Sequence, residues 1–149
     1  GRRRCVSHAA EPARLWLAMG WCLLWSGLAA VLQARRQPYC YGTNAPKCFD
    51  CSGFVQYVFS HFGSKLPNSS GNIAYYGKFI SFKNASAGDL IFFNGRGVGE
   101  TVGHVGIVTK TEGDAIYFIH ASVQAGVIVS NTQESYYSKR LLFVKRVRL

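Results

Sequence analysis

Cys51 stands one residue after Asp50 at the head of the run FDCSGFVQYVFSHFG, and His104 and His120 lie far downstream on two apolar stretches. A thiol, an imidazole to take its proton and a second polar group to orient that imidazole are the parts needed for nucleophilic acyl chemistry. From Phe54 the apolar residues fall at Phe54, Val55, Val58, Phe59 and Phe62, which predicts one face of an amphipathic helix with Asp50 as its cap and Gly63 as its stop. Cys51 then sits in the first turn, where unpaired N–H groups and the positive end of the helix dipole favour thiolate over thiol. Taken alone, Cys51 reads equally as a buried structural cysteine.

The two histidines supply the context. HVGIVTK (104–110) and AIYFIHA (115–121) read as strands flanking Thr111, Glu112, Gly113 and Asp114. A three-residue hairpin loop with Gly113 in the left-handed position pairs Lys110 with Asp114. Counting back, His104 then lies opposite His120 on the same face, with Cβ atoms about 4.5–5.5 Å apart. A slip of one residue would put them on opposite faces. In this arrangement His104 takes the thiol proton and returns one to the leaving amine, while His120 holds the tautomer of His104. Backbone N–H groups at the start of the cysteine helix offer an oxyanion hole. His8 and His61 have no partner in the pattern.

Elements that must position these groups are legible around them. LIFFN (90–94), GVIVS (126–130) and LLFVKRVRL (141–149) read as further strands, and residues 133–138 as a short helix. Residues 39–47 have loop chemistry, residues 64–80 a loop with one helical turn near 72–76, and residues 94–103 a glycine-rich surface loop. Sheet is expected to begin at Leu90. Residues 28–37 read as a helix ending before Pro38. Residues 1–30 are a basic leader with an apolar run, and three readings stand: an export signal cleaved after Ala29 or Ala30, a retained membrane anchor, or an extra core helix. Residues 31–149 form the remaining domain.

The 149 residues suffice for one domain with a sizeable core, and 48% hydrophobic with 14% aromatic content excludes a disordered chain. Lys and Arg number 17 against 7 Asp and Glu, a formal net charge of +10 that favours a polyanionic partner. Nucleic acid is not expected, because charge is its sole support and no recognition helix or aromatic-basic motif accompanies it. Lys139, Arg140, Lys145, Arg146 and Arg148 read either as an anionic-wall contact or as a solvated strand edge guarded against edge pairing. Five cysteines (Cys5, Cys22, Cys40, Cys48, Cys51) cannot all pair with one another, which suits a free catalytic thiol. Cys48 and Cys51 form a C-x-x-C without the second pair of a structural zinc site or the flanking βαβ pattern of a redox motif. Whether Cys40 and Cys48 bridge the loop is left open by the sequence.

The segments PYCYGTNAPKCFDCSGFVQYVF, LPNSSGNIAYYG, AGDLIFFN, GHVGIV and FIHAS, in this order, resemble the NlpC family of cell-wall cysteine peptidases over nearly all of residues 28–149. The resemblance implies a papain-like α+β fold in which the cysteine helix packs on an antiparallel sheet of about five to six strands. It implies an exported, monomeric thiol peptidase without metal or organic cofactor, located in the periplasm, cell envelope or medium. Its partner would be the peptidoglycan stem peptide, cut at the bond between γ-D-glutamate and a diamino acid. A membrane would be a partner only if the N-terminal segment is retained. By position, Cys51 matches the nucleophile, His104 the base and His120 the third polar residue. Tyr41 matches a tyrosine beside the nucleophile; Asp50, Ser52, Ser69 and Ser70 match the substrate-binding groove. Thr43 and Cys48 replace glycine or small residues common in the family. Alternatives are a same-fold amidase or acyltransferase acting on another amide or ester, or a non-catalytic wall-binding module.

Overall fold

The computed structural model describes residues 31, 37–40, 44–45, 48–95 and 99–148. Expectations for the leader, for Tyr41 and for all but residues 31 and 37 of the 28–37 helix fall outside them. The described chain is α+β. A two-stranded ribbon, β1 (Asn44–Ala45) and β2 (Cys48–Phe49), precedes helix α1 (Cys51–His61). Helix α2 (Ser70–Ile73), β3 (Lys78–Ile80), a 3-10 turn (Phe82–Asn84), β4 (Leu90–Asn94), β5 (Val102–Glu112), β6 (Ala115–Ser122), β7 (Gly126–Asn131), α3 (Ser135–Ser138) and β8 (Leu141–Arg146) follow. Six strands form one antiparallel sheet in the order β3-β8-β4-β5-β6-β7.

Helix α1 forms where its caps say it should. The Asp50 carboxylate accepts from the Gly53 N–H at 2.6 Å, satisfying one of the orphan donors of the first turn. At the other end Gly63 takes φ +82°, its N–H bonds to the Ser60 carbonyl, and the Ser64 N–H reaches back to Phe59. This paired closure needs a left-handed residue, which glycine adopts without a Cβ penalty. Phe54, Val55, Val58 and Phe59 are buried against Leu90, Phe92, Val105, Ile107, Ile119 and Ala121 of the sheet. Each such side chain contributes about 1.5–3 kcal/mol of burial. Period-2 alternation sends the remaining residues to the other face, where Ile91, Phe93, Val108, Ile116, Phe118 and Val144 make a second cluster.

Three expectations are corrected here. The six-stranded sheet begins at β3, not at Leu90; Lys78 and Phe79 are exposed and Ile80 half-buried, so this edge strand carries no alternating signature. Residues 39–47 are not wholly loop, since β1 and β2 pair and Tyr39 bridges Phe49. Strand β8 is interior, lying between β3 and β4, so its basic residues do not guard an edge. Lys145 is 6% exposed and donates to the Ala74 carbonyl at 2.6 Å. Arg146 grips the buried Asp89 carboxylate with Nε at 2.7 Å and Nη2 at 3.0 Å. These two cations hold the fold together rather than face a polyanion. Smaller differences are α2 at Ser70–Ile73 rather than 72–76 and β8 ending at Arg146.

The β5–β6 hairpin also departs from expectation, and the departure decides which face the histidines share. Its turn is the two-residue Gly113-Asp114, with Gly113 at φ +61° and Glu112 paired with Ala115, so Lys110 faces Tyr117 rather than Asp114. Continued unbroken, that register would set His104 and His120 on opposite faces. A bulge between Val108 and Lys110 inserts one residue and restores the parity: Val108 pairs with Phe118 and Ile107 with Ile119. His104 and His120 are therefore diagonal neighbours on one face, two residues from direct opposition.

Candidate active site

The sulfur of Cys51 lies at the N-terminus of α1, and the residue is 9% exposed. The backbone N–H groups of Val105, Ser52 and Cys51 itself favour its thiolate form. Val105 lies on β5 one residue beyond His104. The Gly53 N–H is taken by the Asp50 carboxylate and the Phe54 N–H by the Asp50 carbonyl. Among the described residues Cys51 is the free cysteine, whereas Cys40 is disulfide-bonded to a sulfur outside the described side chains.

Burial pushes the Cys51 thiol above the ordinary cysteine value; the Asp50 charge adds to this, and the three N–H groups oppose it. The expectation that the helix terminus makes a resting thiolate is corrected on that ground: desolvation outweighs the terminus. The imidazoles are held neutral as well. Burial lowers His104 to about 4. Burial, and then the neighbouring His104 charge, lowers His120 to about 3. Burial thus favours the neutral form of the thiol and of both imidazoles.

His104 Nε2 and His120 Nδ1 lie 2.9 Å apart, with the rings at 87°. The His104 contact thus engages its Nε2. Gly106 makes the diagonal approach possible, because a Cβ there would meet Phe118 Cδ2 at 2.9 Å and the His120 Cβ at 3.2 Å. His120 is fully buried, and its Nε2 lies 2.8 Å from Ser130 Oγ on β7. The ring of Tyr137 on α3 packs edge-on against His120, with centroids 5.2 Å apart. Sequence reasoning missed Ser130 and Tyr137. Their available signal was a serine of inward parity in GVIVS, readable only once the β6–β7 register is known.

The remaining expected site residues are engaged locally. Asp50 caps α1. Ser52 is buried and donates to the Asn68 carbonyl at 2.9 Å, pinning the 64–69 loop to the helix. Ser69 caps α2 by accepting from the Asn72 N–H at 3.1 Å, and Ser70 is its half-buried first residue. Among the described residues no cluster of three His, Cys, Asp or Glu could hold a metal.

The pattern of the NlpC/P60 family matches residues 36–146, spanning the helix that carries Cys51 and the sheet that carries both histidines. The chain belongs to the NlpC/P60 family. Relatives and solved structures agree with that membership. The Escherichia coli K12 protein named murein DD-endopeptidase MepS/murein LD-carboxypeptidase is 40% identical over 110 residues, covering 73% of this chain and 55% of its own. The Bacillus subtilis bifunctional muramidase/DL-endopeptidase CwlT is 36% identical over 118 residues, covering 78% of this chain and 34% of its own. The chain thus spans about half the length of the first and a third of the second. A Staphylococcus aureus crystal structure described as similar to lipoprotein, NLP/P60 family, superposes with a TM-score of 0.72 at 29% identity, covering 85% of this chain and 42% of that one. Its likeness accounts for the papain-like arrangement of one helix against an antiparallel sheet. NlpC/P60 membership also fits the free thiol at the head of α1. Among the described residues no helix is long and apolar enough to cross a membrane.

Proposed function

We propose that this chain is an exported cell-wall hydrolase, a cysteine endopeptidase acting on the stem peptides of peptidoglycan in the cell envelope. The observation that carries the reading is the free thiol at the head of α1, whose thiolate form is favoured by the N–H of Val105, next in sequence to a His104 whose Nε2 is 2.9 Å from His120. The murein and endopeptidase names of the relatives supply the substrate class. His104 Nδ1 removes the thiol proton as Cys51 Sγ attacks the scissile carbonyl, and the Cys51 and Ser52 N–H groups receive the oxyanion. The imidazolium then protonates the leaving amine, a thioester remains on Cys51, and water activated by His104 releases the acid. No step calls on a metal or organic cofactor.

The bond we assign is that between γ-D-glutamate and the diamino acid, the type suggested by the DL-endopeptidase relative. A second reading, the D,D cross-link, is favoured by the higher identity to the DD-endopeptidase. Digestion of defined muropeptides by wild type and Cys51→Ala, read by mass spectrometry, separates them. L-Ala-γ-D-Glu released by wild type alone supports the first bond, and monomers released from cross-linked dimers support the second. No product from either, with a Cys51 that still reacts with iodoacetamide, would transfer the chemistry to another amide or ester. An unreactive Cys51 would favour a wall-binding module.

A further inference from the structure

We propose that the surface around Tyr75, Tyr76 and Phe79 is a docking face for an anionic lipid bilayer, on which this domain lies peripherally with its aromatic rings at the level of the headgroups. These residues play no part in the chemistry at Cys51, and the inference stands apart from it.

Of the seven large apolar or aromatic side chains exposed among the described residues, four fall within residues 75–82: Tyr75, Tyr76, Phe79 and Phe82. Single exposed rings need no explanation, whereas a cluster facing water marks a contact surface. The rings are not loose. Strand β3 pairs with β8 and sets Phe79 opposite Lys145. The Phe79 ring meets Phe143 edge-on at 5.2 Å and lies 4.5 Å from the Lys145 ammonium. The same ammonium donates to the Ala74 carbonyl at 2.6 Å, one residue before Tyr75, and so ties both halves of the patch to one point. Between them Gly77 takes φ +78°, and a Cβ there would collide with the Arg146 carbonyl, so the turn is pressed onto β8. A surface ordered in advance loses less entropy on docking.

Charge selects the occupant. No acidic residue lies between Asp50 and Asp89, whereas Lys65, Lys78 and Lys83 do. Lys78 and Lys83 are exposed beside the rings, Arg148 is exposed just beyond the neighbouring end of β8, and the Asp89 carboxylate is buried under Arg146. Aromatic rings among cations, with no carboxylate, complement an interface that is anionic at its surface and apolar beneath. Other occupants fit less well. Phe79 and Phe82 offer a saccharide no hydrogen bond, and no carboxylate accompanies them. A small ligand needs a concave seat, but Tyr75 at 85% and Phe79 at 71% exposure protrude. Addition of a partner's strand to β3 is opposed by its three-residue length and by Lys78 on the edge.

The test is hydroxyl-radical footprinting of the full chain, read residue by residue by mass spectrometry, with and without vesicles of phosphatidylcholine and phosphatidylglycerol at about 7:3 in low salt. A residue-level readout separates the patch from any contact made by the apolar run of residues 15–32. Tyr136, exposed on α3 at the other end of β8, about 17 Å along that strand, is the internal reference. Oxidation of Tyr75 and Phe79 relative to Tyr136 is expected to fall at least about fivefold on these vesicles and by less than about twofold on phosphatidylcholine alone. Lys78→Gln combined with Lys83→Gln should return it to within about twofold of the lipid-free value, because each cation contributes about fivefold to binding at an anionic surface. Unchanged oxidation of Tyr75 and Phe79 on the anionic vesicles, or equal protection of Tyr136, would overturn the proposal. Protection by peptide-free glycan strands and not by vesicles would give the patch to a saccharide and overturn it equally.

Discussion

Acidification should unfold this protein through its histidine pair. Both imidazoles are neutral in the fold, His104 titrating at about 4 and His120 at about 3, against an ordinary value of 6.5. An unfolded chain therefore binds more protons than the native one below pH 6.5, so stability is complete above that value and is lost as pH falls toward 4. Between pH 5.5 and 4.5 each unfolded imidazole is protonated while its native counterpart is mostly not, a loss of about 1 kcal/mol per pH unit for each. Replacing His104 by Gln removes one of the two contributions and keeps an amide that can still bond His120. Urea titrations of wild type and His104→Gln at pH 7.5, 6.5, 5.5 and 4.5 isolate it, because the carboxylates common to both cancel in the difference. The wild-type curve should fall more steeply by about 1 kcal/mol per pH unit in the acid range. Parallel curves would refute buried, neutral imidazoles and with them the neutral resting site.

Two further outcomes follow from the same geometry. Arg146→Met strips the buried Asp89 carboxylate of its bidentate partner, and urea titration at pH 7 should show a loss of about 2–3 kcal/mol, less than a fully buried pair because the guanidinium is half exposed. Because desolvation leaves Cys51 a thiol at rest, its alkylation by iodoacetamide in the free protein should keep rising with pH beyond 8, without the plateau between pH 5 and 7 that a standing thiolate–imidazolium pair would give.

Much of the site was legible in residue spacing. The apolar spacing from Phe54 to Phe62, Asp50 before it and Gly63 after it place a helix with Cys51 in its first turn, and the structure realises all three. Strands β4, β6 and β7 follow their apolar runs to within a residue, β4 and most of β6 being packed on both faces. The meeting of the histidines was anticipated through a wrong loop, since a two-residue turn and a bulge together restore the face that a three-residue loop would have given. A bulge leaves no mark in hydropathy, and neither does β3, whose side chains are mostly exposed. Lys145 and Arg146 read as surface charge because their buried partners, the Ala74 carbonyl and Asp89, lie 71 and 57 residues away. Ser130 and Tyr137 escaped for the same reason: neither is near His120 in sequence, Ser130 being brought behind it by the register of β7 and Tyr137 by the packing of α3.

The most direct test of the central claim is to trap the acyl-enzyme. Wild-type protein mixed with a cross-linked muropeptide, quenched in acid within the first turnovers and digested, should yield the Cys51 peptide carrying the acyl half of the substrate as a hydroxylamine-labile thioester. Undiminished cleavage by Cys51→Ala, or an adduct on any other residue, would contradict it.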